Sequence, residues 1–149
     1  MMGLFWSVLG ILSGAFIAIQ APINAQLARG LGLPVAAAAF SFLSGAIVLG
    51  IATLLVTRTQ GISLDWKAPA PRLFVVGGLL GGSYVTISTI LIPRIGAAAL
   101  MALIISGQLL AGMMLDRAGF LGMAVREISL GRVAGAVLLM AGVVLIRLT

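Results

Sequence analysis

Hydrophobic positions fall into five long runs, and polar positions gather between them. The runs cover residues 3–28, 35–57, 72–92, 96–115 and 130–147. Spanning the ~30 Å hydrocarbon core takes ~20 apolar residues in a helix, and each run comes close to or exceeds that length. The pattern predicts an all-α integral membrane protein, a single membrane domain of five transmembrane helices over 1–149. The first run is longer than the ~7–15-residue core of a signal peptide and lacks a basic leader, so it reads as a retained helix. At more than 30 Å it must tilt or bend.

The connections carry ordinary punctuation. Arg29-Gly30-Leu31-Gly32 closes the first run, and Pro34 opens the second at a favoured first-turn position. Thr57 to Arg72 is the most polar stretch, with Trp66 beside Lys67 as an interfacial anchor. Pro93-Arg94-Ile95-Gly96 reads as a very short turn that makes spans three and four an antiparallel hairpin. Ser129 is placed to cap the last helix.

Small residues recur at steps of three and four: Gly3, Ser7, Gly10, Gly14, Ala18, Ala21, Ala25 and Ala28 in span one, and Ser41 and Gly45 in span two. Gly77, Gly78, Gly81 and Gly82 continue the pattern in span three, as do Gly131, Gly135 and Gly142 in span five. Such seams let helices approach closely in lipid. They serve packing, either within one bundle or against a partner chain.

Polar groups inside the spans are fewer and more informative. Gln20 and Asn24, four residues apart, share a helix face, and Pro22 between them has no N–H for the Ala18 carbonyl, so a kink is expected there. Tyr84 and Ser88 share a face within the cluster Ser83-Tyr84-Val85-Thr86-Ile87-Ser88-Thr89. Span four carries Ser106-Gly107-Gln108 near its middle. Lipid offers such groups no partner, so they face a wet cavity or each other. Two readings follow: a substrate-binding chamber lined by Gln20, Asn24, Tyr84, Ser88 and Gln108, or hydrogen-bonded clasps between helices. Hydroxyls can also bond back to their own helix carbonyls, which would silence most of the Ser/Thr cluster.

Composition narrows the chemistry. The chain is 62% hydrophobic and 8% charged, against ~25% charged in a soluble domain. It has no cysteine and no histidine, so thiolate nucleophiles, disulfides, the usual metal ligands and the usual proton shuttle are absent. No catalytic residue, metal or cofactor is expected. The net charge of +6 comes from scattered single basic residues, which suits lipid headgroups rather than nucleic acid. The acids are Asp65, Asp116 and Glu127, all assigned to connections, which leaves no carboxylate at the bilayer centre for cation or proton antiport. Asp116 could act at one mouth, or form a solvated pair beside Arg117. Arg58, Lys67, Arg72, Arg117, Arg126 and Arg132 lie on one side and Arg29, Arg94 and Arg147 on the other, which predicts a cytoplasmic N-terminus and a periplasmic C-terminus.

Several stretches taken together resemble the drug/metabolite transporter superfamily, in its half-size, five-helix YdcZ-like branch. They are Gln20-x-Pro22-x-Asn24-Ala25, then Pro34 through Ser41-Phe42 with Gly45, then Pro93-Arg94-Ile95-Gly96-Ala97, Ser106-Gly107-Gln108-Leu109-Leu110 and Asp116-Arg117-Ala118-Gly119. Arg126-x-Ile128-Ser129 and the glycine-rich last helix complete the likeness. The resemblance implies a bacterial inner-membrane transporter or exporter, and a unit equal to half of a ten-helix relative.

Transporter sites lie near mid-membrane where two repeats meet, and this chain shows no second copy of its pattern. The leading expectation is therefore a secondary transporter of a small polar or amphipathic metabolite, working by alternating access as a homodimer or a heterodimer with a similar half-size subunit. The alternative is a non-transporting membrane subunit that stabilises a larger complex. An intramembrane enzyme fares worst, since no nucleophile–base pair is available.

Overall fold

A computed structural model of the chain describes residues 2–148, excluding the side chains of Met2, Arg147 and Leu148. The fold is all-α. It comprises α1 (Met2–Leu31), α2 (Pro34–Gln60), α3 (Pro71–Ile95), α4 (Ala97–Ala118) and α5 (Leu130–Leu148), with a short 3-10 turn at Phe120–Gly122. The first four are long and apolar enough to cross a membrane, while α5 is apolar but shorter. At 19 residues α5 is about 28 Å long, near the ~30 Å of a hydrocarbon core. Arg147 falls in α5, but its side chain is outside the described residues.

The helices overrun the apolar runs by about one turn. Arg29, Arg58, Arg94 and the pair Asp116-Arg117 all lie inside helices rather than in connections. Polarity ends a membrane span, but it need not end a helix. What does end these helices is a positive-φ glycine: Gly32, Gly61, Gly96 and Gly119 follow α1 to α4, each with φ between 59° and 77°, and Gly61 and Gly119 adopt the αL cap conformation. At Gly61 and Gly119 the backbone N–H returns to Thr57 and Leu115 respectively. Pro93 accordingly does not start a turn. It sits within the last turn of α3, and Gly96 alone joins α3 to α4. Likewise α1 is continuous through Pro22.

The chain divides into two compact units, Met1–Arg94 and Ile95–Thr149. In the first, α1, α2 and α3 pack through small residues. Ala21, Ala25 and Ala28 of α1 are buried, as are Ala37 and Ala38 of α2 and Val85, Ser88, Thr89 and Ile92 of α3. The seam expected along α1 is thus occupied only in its C-terminal half; Gly3, Gly10 and Gly14 have nothing within 4 Å of where a β-carbon would sit. On α3 only Gly81 is closely approached, and by the Phe42 ring of α2 rather than by a helix backbone. Beyond the helix ends, Asp65 organises the α2–α3 loop by accepting the N–H groups of Lys67 and Ala68, and Trp66 stacks on Phe74.

In the second unit α4 and α5 are tied at one end. Arg132 Nη1 donates to Asp116 Oδ2 at 3.1 Å, and the Arg126 N–H donates to the Asp116 carbonyl. Asp116 therefore pairs across to α5, and not with its neighbour Arg117 as one sequence reading expected. Ser129 caps α5 as anticipated, its Oγ accepting the N–H of Arg132 and its carbonyl that of Val133.

Candidate functional site

Helix geometry brings the two polar pairs of the first unit to one place. Gln20 and Asn24 stand one turn apart on α1, and Tyr84 and Ser88 one turn apart on α3. All four line a single crevice between these helices, together with Ile17, Ala21, Val85 and Thr89. Its volume is about 10 Å³, room for roughly one water molecule. The crevice is closed to any metabolite in this conformation.

On their other side, the same two amides line an open groove of about 650 Å³ between α1 and α2, walled by Phe16, Ile23, Leu27 and Phe40. Gln20 and Asn24 thus divide a wide apolar groove from a narrow polar crevice.

Their bonding states differ. Gln20 Nε2 donates to Ser41 Oγ at 3.1 Å, an interhelical clasp of the kind foreseen as the alternative to substrate binding. Asn24 is only 4% exposed, yet its carboxamide makes no hydrogen bond to any described residue. The only sealed, unpartnered polar side-chain atom among the described residues is Thr89 Oγ1, so the Asn24 amide is open at the groove, where an outside donor or acceptor can reach it. Ser88 is equally buried and also bonds to no described residue. Within the hydroxyl cluster, self-bonding accounts for Thr86, which donates to the Gly82 carbonyl at 2.8 Å.

Two participants escaped the sequence reading of the site. By spacing alone Ser41 is a small packing residue of span two. By sequence Thr89 is one hydroxyl of the Ser83–Thr89 cluster and is not among the expected site residues. It is 3% exposed, and its Oγ1 is buried without a partner. The signal available was Pro93, four residues on, which has no N–H to offer the Thr89 carbonyl.

Gln108 belongs to the second unit, where it is exposed on α4. Its neighbour Ser106 is silent, donating to the Ala102 carbonyl at 2.9 Å. Asp116 shares an open cleft of about 620 Å³ with its partner Arg132, between the apolar walls of α4 and α5.

Residues 5–145 match a family described as "Putative inner membrane exporter, YdcZ". The chain belongs to the YdcZ family. YdcZ is a family of the drug/metabolite transporter type, and the match takes in all five helices of this chain. The chain is thus an inner-membrane protein of a family whose described role is export, a role in membrane transport rather than catalysis. No curated protein and no solved structure matches this YdcZ chain.

Proposed function

We propose that the chain exports a small polar or amphipathic metabolite across the inner membrane by alternating access. The observation that carries the proposal is Asn24: a carboxamide on a mostly buried residue, without a hydrogen-bond partner among the described residues, set between an open groove and a narrow crevice beside Ser88 and Tyr84. Gln20, one turn away, is by contrast clasped to Ser41. Opening of α1 from α3 would convert the one-water crevice into a chamber in which Asn24, Ser88 and Tyr84 bind substrate. A second five-helix chain, identical or similar, completes the pathway. The open glycine faces of α1 (Gly3, Gly10, Gly14) and α3 (Gly77, Gly78, Gly82) are suited to close packing with that partner. The basic-residue bias favours a cytoplasmic N-terminus and a periplasmic C-terminus.

The test is a thermal-shift screen of the purified protein against a metabolite library, followed by flux of each stabilising compound in proteoliposomes. Saturable, protein-dependent flux of at least one compound is expected. Stable, correctly inserted protein that moves none of them would support the non-transporting subunit instead.

A further inference from the structure

A second cleft in the first unit, distinct from the amide crevice, is basic. It has a volume of about 630 Å³ and lies where α1 and α3 end and α2 begins, with Arg29, Gly32, Pro34, Thr89 and Arg94 among its lining. Neither arginine pairs with a carboxylate of the described residues. The sole acid of this unit, Asp65, accepts the backbone N–H groups of Lys67 and Ala68 instead. Arg94 spends one guanidinium N–H on the Ile90 carbonyl of its own helix, and Arg29 makes no hydrogen bond to any described residue.

Both arginines lie in the last turn of a helix, where a cation complements the negative end of the dipole. That role explains their position but not the rest of the cleft. The start of α2 borders the cleft through Pro34, which has no N–H, and the N–H groups of Ala36 and Ala37 go to the Leu33 carbonyl, so α2 contributes shape rather than donors. Thr89, at the wall shared with the amide crevice, has a hydroxyl that is buried and unpartnered. Capping a helix C-terminus requires no such donor. Two guanidinium groups and a spare hydroxyl donor form a set complementary to an oxyanion.

We propose that this cleft is an oxyanion site, in which Arg29 and Arg94 hold a phosphate or carboxylate group and the Thr89 hydroxyl donates to it. The group comes from a phospholipid headgroup or from a water-soluble anion, and the site does not depend on transport.

The experiment measures thermal stabilisation of the full chain in a neutral detergent. One probe is inorganic phosphate, the other dihexanoyl phosphatidylglycerol, with chloride at equal ionic strength and dihexanoyl phosphatidylcholine as controls. A saturable rise in the midpoint beyond the controls is expected. A response to phosphatidylglycerol alone assigns the site to lipid, and a response to phosphate assigns it to soluble anions. Arg29→Gln and Arg94→Gln should each weaken the apparent affinity about tenfold. Thr89→Val should also weaken it, while leaving the stability of the anion-free protein equal or higher, because it removes an unpaired buried hydroxyl. This variant and Arg29→Lys/Arg94→Lys keep the test decisive if the glutamine variants do not fold. Stabilisation by neither probe, or stabilisation unchanged in the arginine variants, overturns the site. Destabilisation of the anion-free protein by Thr89→Val overturns the role of its hydroxyl.

Discussion

Gln20 on α1 donates from Nε2 to Ser41 Oγ on α2 across 3.1 Å, while Asn24, one turn further along α1, is left without a partner. Two carboxamides that are equivalent on a helical wheel therefore have different duties. The Gln20 bond is a clasp, and such bonds in membrane proteins average about 0.6 kcal/mol. Ser41→Ala should lower stability by about that amount and leave flux within about twofold of the parent. Chemical or thermal unfolding in detergent, paired with proteoliposome flux, checks both. A loss of flux far exceeding the loss of stability would move Ser41 from the clasp into the binding site.

Gly81 should be intolerant of a larger side chain, unlike its neighbours. A β-carbon at Gly81 would lie 2.8 Å from Cζ of Phe42, whereas Gly77 and Gly78 have nothing within 4 Å. Gly81→Leu is expected to destabilise the first unit by about 1–3 kcal/mol through overpacking, and Phe42→Ala in the same chain should recover part of that. Gly77→Ala should be neutral or stabilising for the monomer, since alanine is about 1 kcal/mol better than glycine inside a helix. Melting curves of the three variants beside the parent read the contrast.

The Asp116–Arg132 pair is about one-third exposed on each side, so its coupling should be small. A double-mutant cycle of Asp116→Asn and Arg132→Gln is expected to return about 0.2–1 kcal/mol, and to shrink as salt is raised. Were Asp116 instead to serve substrate at the mouth, Asp116→Asn would depress flux while Arg132→Gln, equal in stability, would not.

Gly96 carries the whole connection between α3 and α4 at φ 77°. Any side chain there is strained, at a cost of order 1–3 kcal/mol. Gly96→Ala and Gly96→Asn should both lower the melting midpoint, because at φ 77° and ψ 166° the backbone lies in a region open essentially to glycine alone, where asparagine has no advantage.

The sequence carried the helices and the polar pairs well, for a simple reason. In a membrane the apolar run and the polar exception are both enforced by the absence of water, so Gln20, Asn24, Tyr84 and Ser88 stood out at once. Helix ends were less legible, because charge was read as a stop where a positive-φ glycine was the actual one: Arg94 and Pro93 stand inside α3, and Gly96 ends it. Partners were the least legible. That Gln20 reaches Ser41, that Asp116 reaches Arg132, and that Thr89 is buried unpaired all depend on the register between helices. Spacing within one helix does not encode that register. Nor did it reveal that the crevice between α1 and α3 is closed to all but about one water.

The central claim is that the unpaired Asn24 carboxamide meets substrate. Its most direct test is proteoliposome flux of a metabolite that stabilises the parent protein, compared between parent and Asn24→Leu, with gel filtration and circular dichroism verifying the fold of both. The account predicts flux lowered at least about tenfold in a folded variant, the expected consequence of removing a hydrogen-bonding group that substrate requires. Parent-like flux through folded Asn24→Leu would contradict it.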